Sequence, residues 1–485
     1  HSDDGGLGRG GHPTTCELGG RSGVAAVHLL SGTLAPLPPR AARLSLRVPA
    51  SMELASVLAA WSAQEAALAE AAAVSLSQLQ FILAFLASFP LSAALNYVPT
   101  ATGRHLYSAA VGIALIYWPF GASIVYIAPP CVVAYLGMLL MPARASAIAW
   151  LTVMPYLIYW HENGASGTAW QEGRLDFTGA LMVVTLKLIS CATNVSDSHK
   201  EDKHLRPSER QWMIRAAPTP LEFVSYVFAT GNLLAGPHFH VKTYLEYIER
   251  RGLWSPTASH TAPNPIPQGL LHLGQALVCL LLHVGLTHAG LGASALTSDW
   301  FFELPYLGRM GMLWVCGITA RWKYYFVWSL AHASMVVSGF SFEGFNEAGK
   351  PMWDRGRNQH IRGLELCPSG AEITLNWNIQ TGLWLRRYVY DRLTPIGTKP
   401  GFAALMLTQL VSGVWHGLFP GYIMFFSGTA LLVQTSREIY RYQRHMKGAA
   451  HRAVVAAHTL LTSICLNFLA SAFQLLTWQE SIRVW

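Results

Sequence analysis

The chain has 485 residues, 52% of them hydrophobic and only 12% charged, with a net charge of +8 and a mean hydropathy of +0.30. A soluble domain carries about 25% charged residues, so this composition excludes an ordinary soluble multidomain protein and favours one polytopic membrane domain. The basic residues cluster in short loops beside apolar segments, at Lys200 to Arg215, Lys242 to Arg251 and Arg437 to Arg452, which suits cytosolic loops facing anionic lipid and not nucleic-acid binding, for which no fold signature is present.

Residues 1 to about 51 are rich in Gly, Arg, Ala and Pro and poor in acids, and residue 1 is not methionine. They read as a disordered, targeting or artefactual extension, with 52–485 as the functional domain. A crossing needs roughly 20 apolar residues. Leu76 to Val98 is long enough; Leu106 to Met141 reads as two spans, broken near Pro119 and the Pro129-Pro130 pair. Ala145 to Trp160 follows, then Phe177 to Thr193 with Asp176 at its mouth and Lys187 within it. Leu221 to Ala235 is short and ends at Gly236-Pro237; Leu270 to Leu291 is clean. Met310 to Gly339 is interrupted by Arg321 and Lys323, and Phe402 to Val433 is a hairpin punctuated by Pro420-Gly421. Val454 to Leu476 closes the series. The expectation is all-α, with nine to eleven transmembrane or re-entrant helices. Asp197 to Pro220 and Ser341 to Glu372 are polar excursions, and Arg437, Arg441 and Arg444 suggest a membrane-surface helix over Ser436 to Lys447. The seven cysteines show no paired spacing, so neither a disulfide framework nor a zinc site is indicated.

Between Pro400 and Arg437 there is no Asp, Glu, Lys or Arg, yet His416 sits in the middle. An ionisable group in hydrocarbon costs several kcal/mol unless it has partners or stays neutral, which marks it for function. A packing histidine is the bland reading. Against it, Gly417 and Gly421 permit close approach, Pro420 breaks the helix, and Trp415 and Tyr422 offer amphipathic walls. An imidazole kept from water stays uncharged and able to accept a proton, as a general base for a hydroxyl requires. Asn378 is either an interhelical hydrogen-bonder or a donor to a polarised carbonyl or oxyanion. A helix here would put Asn378 and Thr381 on one face.

Glu365, then Trp377-Asn378, Thr381 and Trp384 at fixed spacing, resembles a signature of the membrane-bound O-acyltransferases. The stretch Trp415-His416-Gly417 to Pro420-Gly421-Tyr422 is similar to their histidine motif. Asp176 to Met182, Leu234 to Pro237, Arg321 to Tyr325 and Ser338 to Phe340 resemble the lysophospholipid acyltransferase branch, plant type, so the resemblance covers about Met52 to Trp485. It implies an endoplasmic reticulum enzyme with a chamber through the membrane. His416 would be the catalytic histidine and Asn378 its partner, with acyl-CoA as donor substrate, a lysophospholipid as acceptor, membrane lipids around it and no resident cofactor. Glu365, Trp377, Thr381, Trp384, Trp415, Tyr422, Arg321, Lys323 and Tyr325 are the tentative substrate-binding residues. Arg321 and Lys323 suit CoA phosphates or the headgroup, or else anchor the interface. Two departures stand out: His332 occupies a position where relatives carry an acid, and the family usually continues past Trp485.

The competing readings are another acceptor (a sterol, a diacylglycerol or a protein), or a transporter, which would show paired repeats that are absent here. A metal-dependent oxidase would need clustered histidine boxes; His238 with His240 and His199 with His204 are the nearest pairs. The sequence is silent on headgroup, acyl chain and oligomeric state.

Overall fold

A computed structural model describes residues 50–72, 74–257 and 262–485. The expected extension over 1–51 lies outside them, apart from its last two residues. Ala60–Trp485 forms one compact unit. Its helices are α1 (Ala50–Ala71, entering the unit partway), α2 (Leu76–Ala94), α3 (Ala101–Phe120), α4 (Ala128–Leu140), α5 (Ala145–Asn163), α6 (Thr178–Asp197) and α7 (Ile266–His288). They continue with α8 (Tyr306–Val337), α9 (Ile379–Tyr388), α10 (Phe402–His416), α11 (Pro420–Gln443) and α12 (Gly448–Leu475). One small antiparallel hairpin pairs Gly344–Phe345 with Pro351–Met352.

The boundaries follow local chemistry. Ser75 caps α2 in a capping box with Gln78, satisfying backbone donors that the first turn leaves open. Pro129 and Pro130 stand in the first turn of α4 and Pro420 opens α11, positions where a missing N–H costs nothing. Both breaks fall where the sequence places them.

Five segments are long and apolar enough to cross a membrane: Leu76–Tyr97, Ala101–Leu140, Thr178–Asp197, Ile266–Thr297 and Gly448–Leu475. Helices α5, α8, α10 and α11 join them, so ten helices of at least 13 residues follow Leu76 among the described residues. Their burial is that of a protein in lipid. Leu270, Leu271, Leu277, Val278, Leu281 and Val284 on α7 all face outward, a patch that water would not tolerate. Helix α6 is the opposite: every residue but Gly179 is buried. It is a central post. Neighbouring helices pack in a closed circuit from α3 through α2, α8, α12, α11, α10 and α5 to α6, and back to α3 through the short helix Pro220–Val227; α7 packs against α8.

The short segment Leu221 to Ala235 holds helix Pro220–Val227, and the chain turns beyond it at Gly231 and Gly236, which adopt positive φ. One expectation needs correction: Ser436 to Lys447 is not a separate surface helix. Helix α11 runs on to Gln443, and Ser436 is buried inside the bundle, accepting from the Gly370 amide at 2.9 Å.

Lys187 lies wholly buried on α6 with its ammonium donating to the carbonyls of Tyr226 (2.8 Å) and Val227 (3.0 Å) and to Asn232 Oδ1 (3.0 Å). Three donors meet three acceptors, two of them carbonyls at a helix C-terminus. The lysine that interrupts an apolar span is thus a structural tie.

Candidate active site

Helix α10 ends at His416, Gly417 turns the chain at φ 128°, and α11 starts at Pro420. The break is held from below. Trp415 Nε1 donates to Met182 O (3.1 Å) and Trp384 Nε1 to Leu186 O (3.0 Å). Those carbonyls lie one turn apart on α6, so α10 and α9 are pinned to the same face of the post. Gly421 closes the other side, donating its amide to Leu476 O at 2.7 Å. A Cβ on Gly421 would lie 2.1 Å from Ala472 O; only glycine fits.

The His416 ring is caged by Trp415 (4.7 Å between centroids), Tyr422 (5.7 Å), Phe473 (5.3 Å) and Phe426, stacked at 5.2 Å. Among the described residues no group hydrogen-bonds to the ring.

Asn378 precedes α9 in the left-handed conformation (φ 46°, ψ 47°), which asparagine tolerates better than most residues. Its amide orientation can be assigned from the network. The backbone N–H of Gln380 donates to Asn358 (2.9 Å), so the atom receiving it is Oδ1. Asn358 therefore presents Nδ2 to Asn378, and Asn378 answers with Oδ1 at 3.1 Å. The Asn378 oxygen accepts that bond, and its two N–H groups have no partner among the described residues. Asn358, almost wholly buried in the polar excursion, thus orients Asn378, and sequence reading missed it; nothing in its local pattern marks it. Nearby, His360 lies 3.2 Å from Arg357, and burial, then that cation, hold its imidazole below the usual range.

Among the described residues no hydrogen bond joins His416 and Asn378, and each element carries its own cluster of aromatic rings. Trp377 packs edge-on against Trp328 (4.7 Å), Tyr324 (5.5 Å) and Tyr325 (5.7 Å). Tyr324 in turn lies within electrostatic range of Tyr422, which touches His416. Thr381 is buried on the first turn of α9, facing as Asn378 does.

The other tentative residues divide. Arg321 grips Glu365 with two bonds of 2.7 Å and Asn467 with a third of 2.7 Å, and Tyr325 donates to Glu365 at 2.6 Å. Arg321, Tyr325 and Glu365, expected to bind substrate, are thus hydrogen-bonded to one another. Lys323 is exposed, with its ammonium 5.3 Å from the Tyr324 ring. Trp384 is an anchor, 1% exposed. Outside the site, His240 bonds Arg387 (2.6 Å) and Tyr388 (3.1 Å), and His238 bonds Ser190 (2.9 Å). His332 donates to Trp353 O at 2.7 Å, which an ionised acid could not do.

Residues 163–476 match the family described as MBOAT, membrane-bound O-acyltransferase family. The chain is 38% identical over 418 residues to lysophospholipid acyltransferase 1 of Arabidopsis thaliana, covering 85% of this chain and 90% of that protein. It is 38% identical over 415 residues to lysophospholipid acyltransferase 2 of the same plant, covering 84% and 89%. Over 441 residues it is 29% identical to membrane-bound glycerophospholipid O-acyltransferase 1 of Homo sapiens, covering 86% and 87%.

Proposed function

The chain belongs to the membrane-bound O-acyltransferase family, and from that premise we propose that it is a lysophospholipid acyltransferase with His416 as general base and Asn378 as oxyanion donor. The donor is acyl-CoA, a substrate and not a resident cofactor, and the setting is the endoplasmic reticulum membrane. The observation that carries the proposal is the His416 ring: unpartnered, walled by aromatic side chains, and placed at a helix break.

The chemistry needs little more. A thioester carbonyl is electrophilic enough to be attacked directly by a hydroxyl. His416 removes the proton from the free glycerol hydroxyl of the lysophospholipid as its oxygen attacks the acyl carbonyl. Negative charge gathers on the carbonyl oxygen, where the free amide N–H groups of Asn378 stabilise it. The C–S bond breaks, and the proton on His416 passes to the thiolate. Positioned base catalysis supplies about 10²–10⁴-fold, and holding both lipids in register supplies much of the rest. Excluding water suppresses hydrolysis of the thioester.

The test is transfer of labelled acyl groups from acyl-CoA by microsomes, across a panel of lysophospholipid headgroups, a sterol and a diacylglycerol. His416→Ala should abolish transfer with membrane abundance unchanged, and Asn378→Ala should remove most of it. Acylation at the wild-type rate by His416→Ala sinks the assignment; preference for a sterol or a diacylglycerol changes the acceptor.

A further inference from the structure

A second imidazole stands against the same break. His161, on the last turn of α5, is 3% exposed. Its Nε2 lies 3.0 Å from the carbonyl of Trp415, and its Cγ lies 3.7 Å from where a Cβ on Gly417 would sit. The ring therefore rests beside the backbone on both sides of His416, within electrostatic range of its ring.

The hydrogen bond assigns the tautomer. A carbonyl only accepts, so Nε2 carries the hydrogen and Nδ1 of the neutral ring holds a bare lone pair. That Nδ1 is buried and no described residue donates to it. Asp176, the nearest carboxylate, is taken up: its oxygens accept from the amides of Ala165 (2.7 Å) and Thr178 (2.8 Å) and from the Thr178 hydroxyl (2.5 Å). A buried acceptor without a donor costs about 1–3 kcal/mol, and such groups gather at sites where a partner arrives during function.

We propose that His161 is a positioning residue for His416, its Nδ1 accepting from one water that in turn accepts the N–H of the His416 imidazole. This rests on the reading of His416 as base. A neutral His416 must carry its hydrogen on one nitrogen and offer the other to the acceptor hydroxyl. An acceptor on the first side selects that tautomer. It also holds the N–H as the hydroxyl proton arrives, and the ring becomes imidazolium while the oxygen–carbon bond forms. His161 neither gains nor loses a proton. When the C–S bond breaks, His416 returns its proton to the thiolate and the pair is reset.

Two substitutions separate this role from simple anchoring. In His161→Gln the amide reaches the Nε2 position, keeping a donor for the Trp415 carbonyl and losing the lone pair at Nδ1. In His161→Asn the amide oxygen occupies the Nδ1 position and the bond to Trp415 is lost. The measurement is kcat and KM for lysophospholipid with the full chain in microsomes, per unit of folded enzyme, beside His416→Ala. His161→Gln should lower kcat about 10-fold or more, part of what base catalysis supplies, with KM little changed. His161→Asn should recover most of it. If His161→Gln is wild-type and His161→Asn is impaired, or if both fall equally, the proposal is overturned. An active His416→Ala would instead overturn the reading of the base itself.

Discussion

The ion pair between Arg321 and Glu365 decides whether the basic element on α8 serves substrate or structure. Arg321 is 8% exposed in its side chain and Glu365 23%, and two bonds of 2.7 Å join them. Removing one partner of a buried pair costs roughly 3–5 kcal/mol, because it strands the other charge; the partial exposure of Glu365 puts this pair near the lower end. The two truncations are not equivalent. Glu365→Ala leaves the guanidinium with Asn467 alone, whereas Arg321→Ala leaves the carboxylate with the Tyr325 hydroxyl and some solvent. Glu365→Ala should therefore be the worse, by about 1 kcal/mol. The double replacement Arg321→Met with Glu365→Leu should lie closer to wild type than either single change, since no charge is left stranded. Thermal unfolding of detergent-solubilised protein, followed by size-exclusion recovery, reads the order. If Arg321→Ala unfolds at the wild-type temperature while its KM for acyl-CoA rises tenfold, the arginine binds phosphate and the reasoning fails.

Lys187→Met should strip the donor from two helix-terminal carbonyls and Asn232, costing about 3 kcal/mol or more at 1–3 kcal/mol per unsatisfied group; membrane abundance in a pulse-chase checks it. Gly421→Ala should misplace α11, since its methyl would meet backbone at 2.1 Å, and transfer activity per folded molecule should fall with it. Trp384→Phe keeps the ring but drops one hydrogen bond, about 1 kcal/mol; a large loss of abundance would show that the indole does more than anchor α9.

Much of the fold was legible because lipid simplifies the code. Long apolar runs separated by prolines gave α2, α4 and the α10–α11 break directly, and His416 announced itself as the lone ionisable group in such a run. Segment 221–235 read as apolar but too short to cross, and the structure turns Tyr226, Val227 and Asn232 within it toward Lys187. The pairing of Arg321 with Glu365 joins residues far apart in the chain and leaves no local trace. Asn358 and His161 were invisible for the same reason. Both are placed by directed hydrogen bonds, and the sequence carries residue types but not directions.

The direction of those bonds is what turns a bundle into a site. A carboxamide offers both a donor and an acceptor, and alone it could serve His416 or the oxyanion. Once the Gln380 amide fixes Asn358, Asn358 donates to the Asn378 oxygen, and the Asn378 N–H groups are left without a partner among the described residues. The proposed oxyanion role thus rests on a backbone N–H two residues beyond Asn378. The same logic runs through α6, where two main-chain carbonyls receive the indoles of Trp415 and Trp384. Side chains on those two positions of α6 could change without moving the anchor, because backbone oxygens do the holding. The histidine helix and the asparagine helix are thus registered against a main-chain ruler, and the distance between them depends on the helical rise of α6 more than on any residue within it.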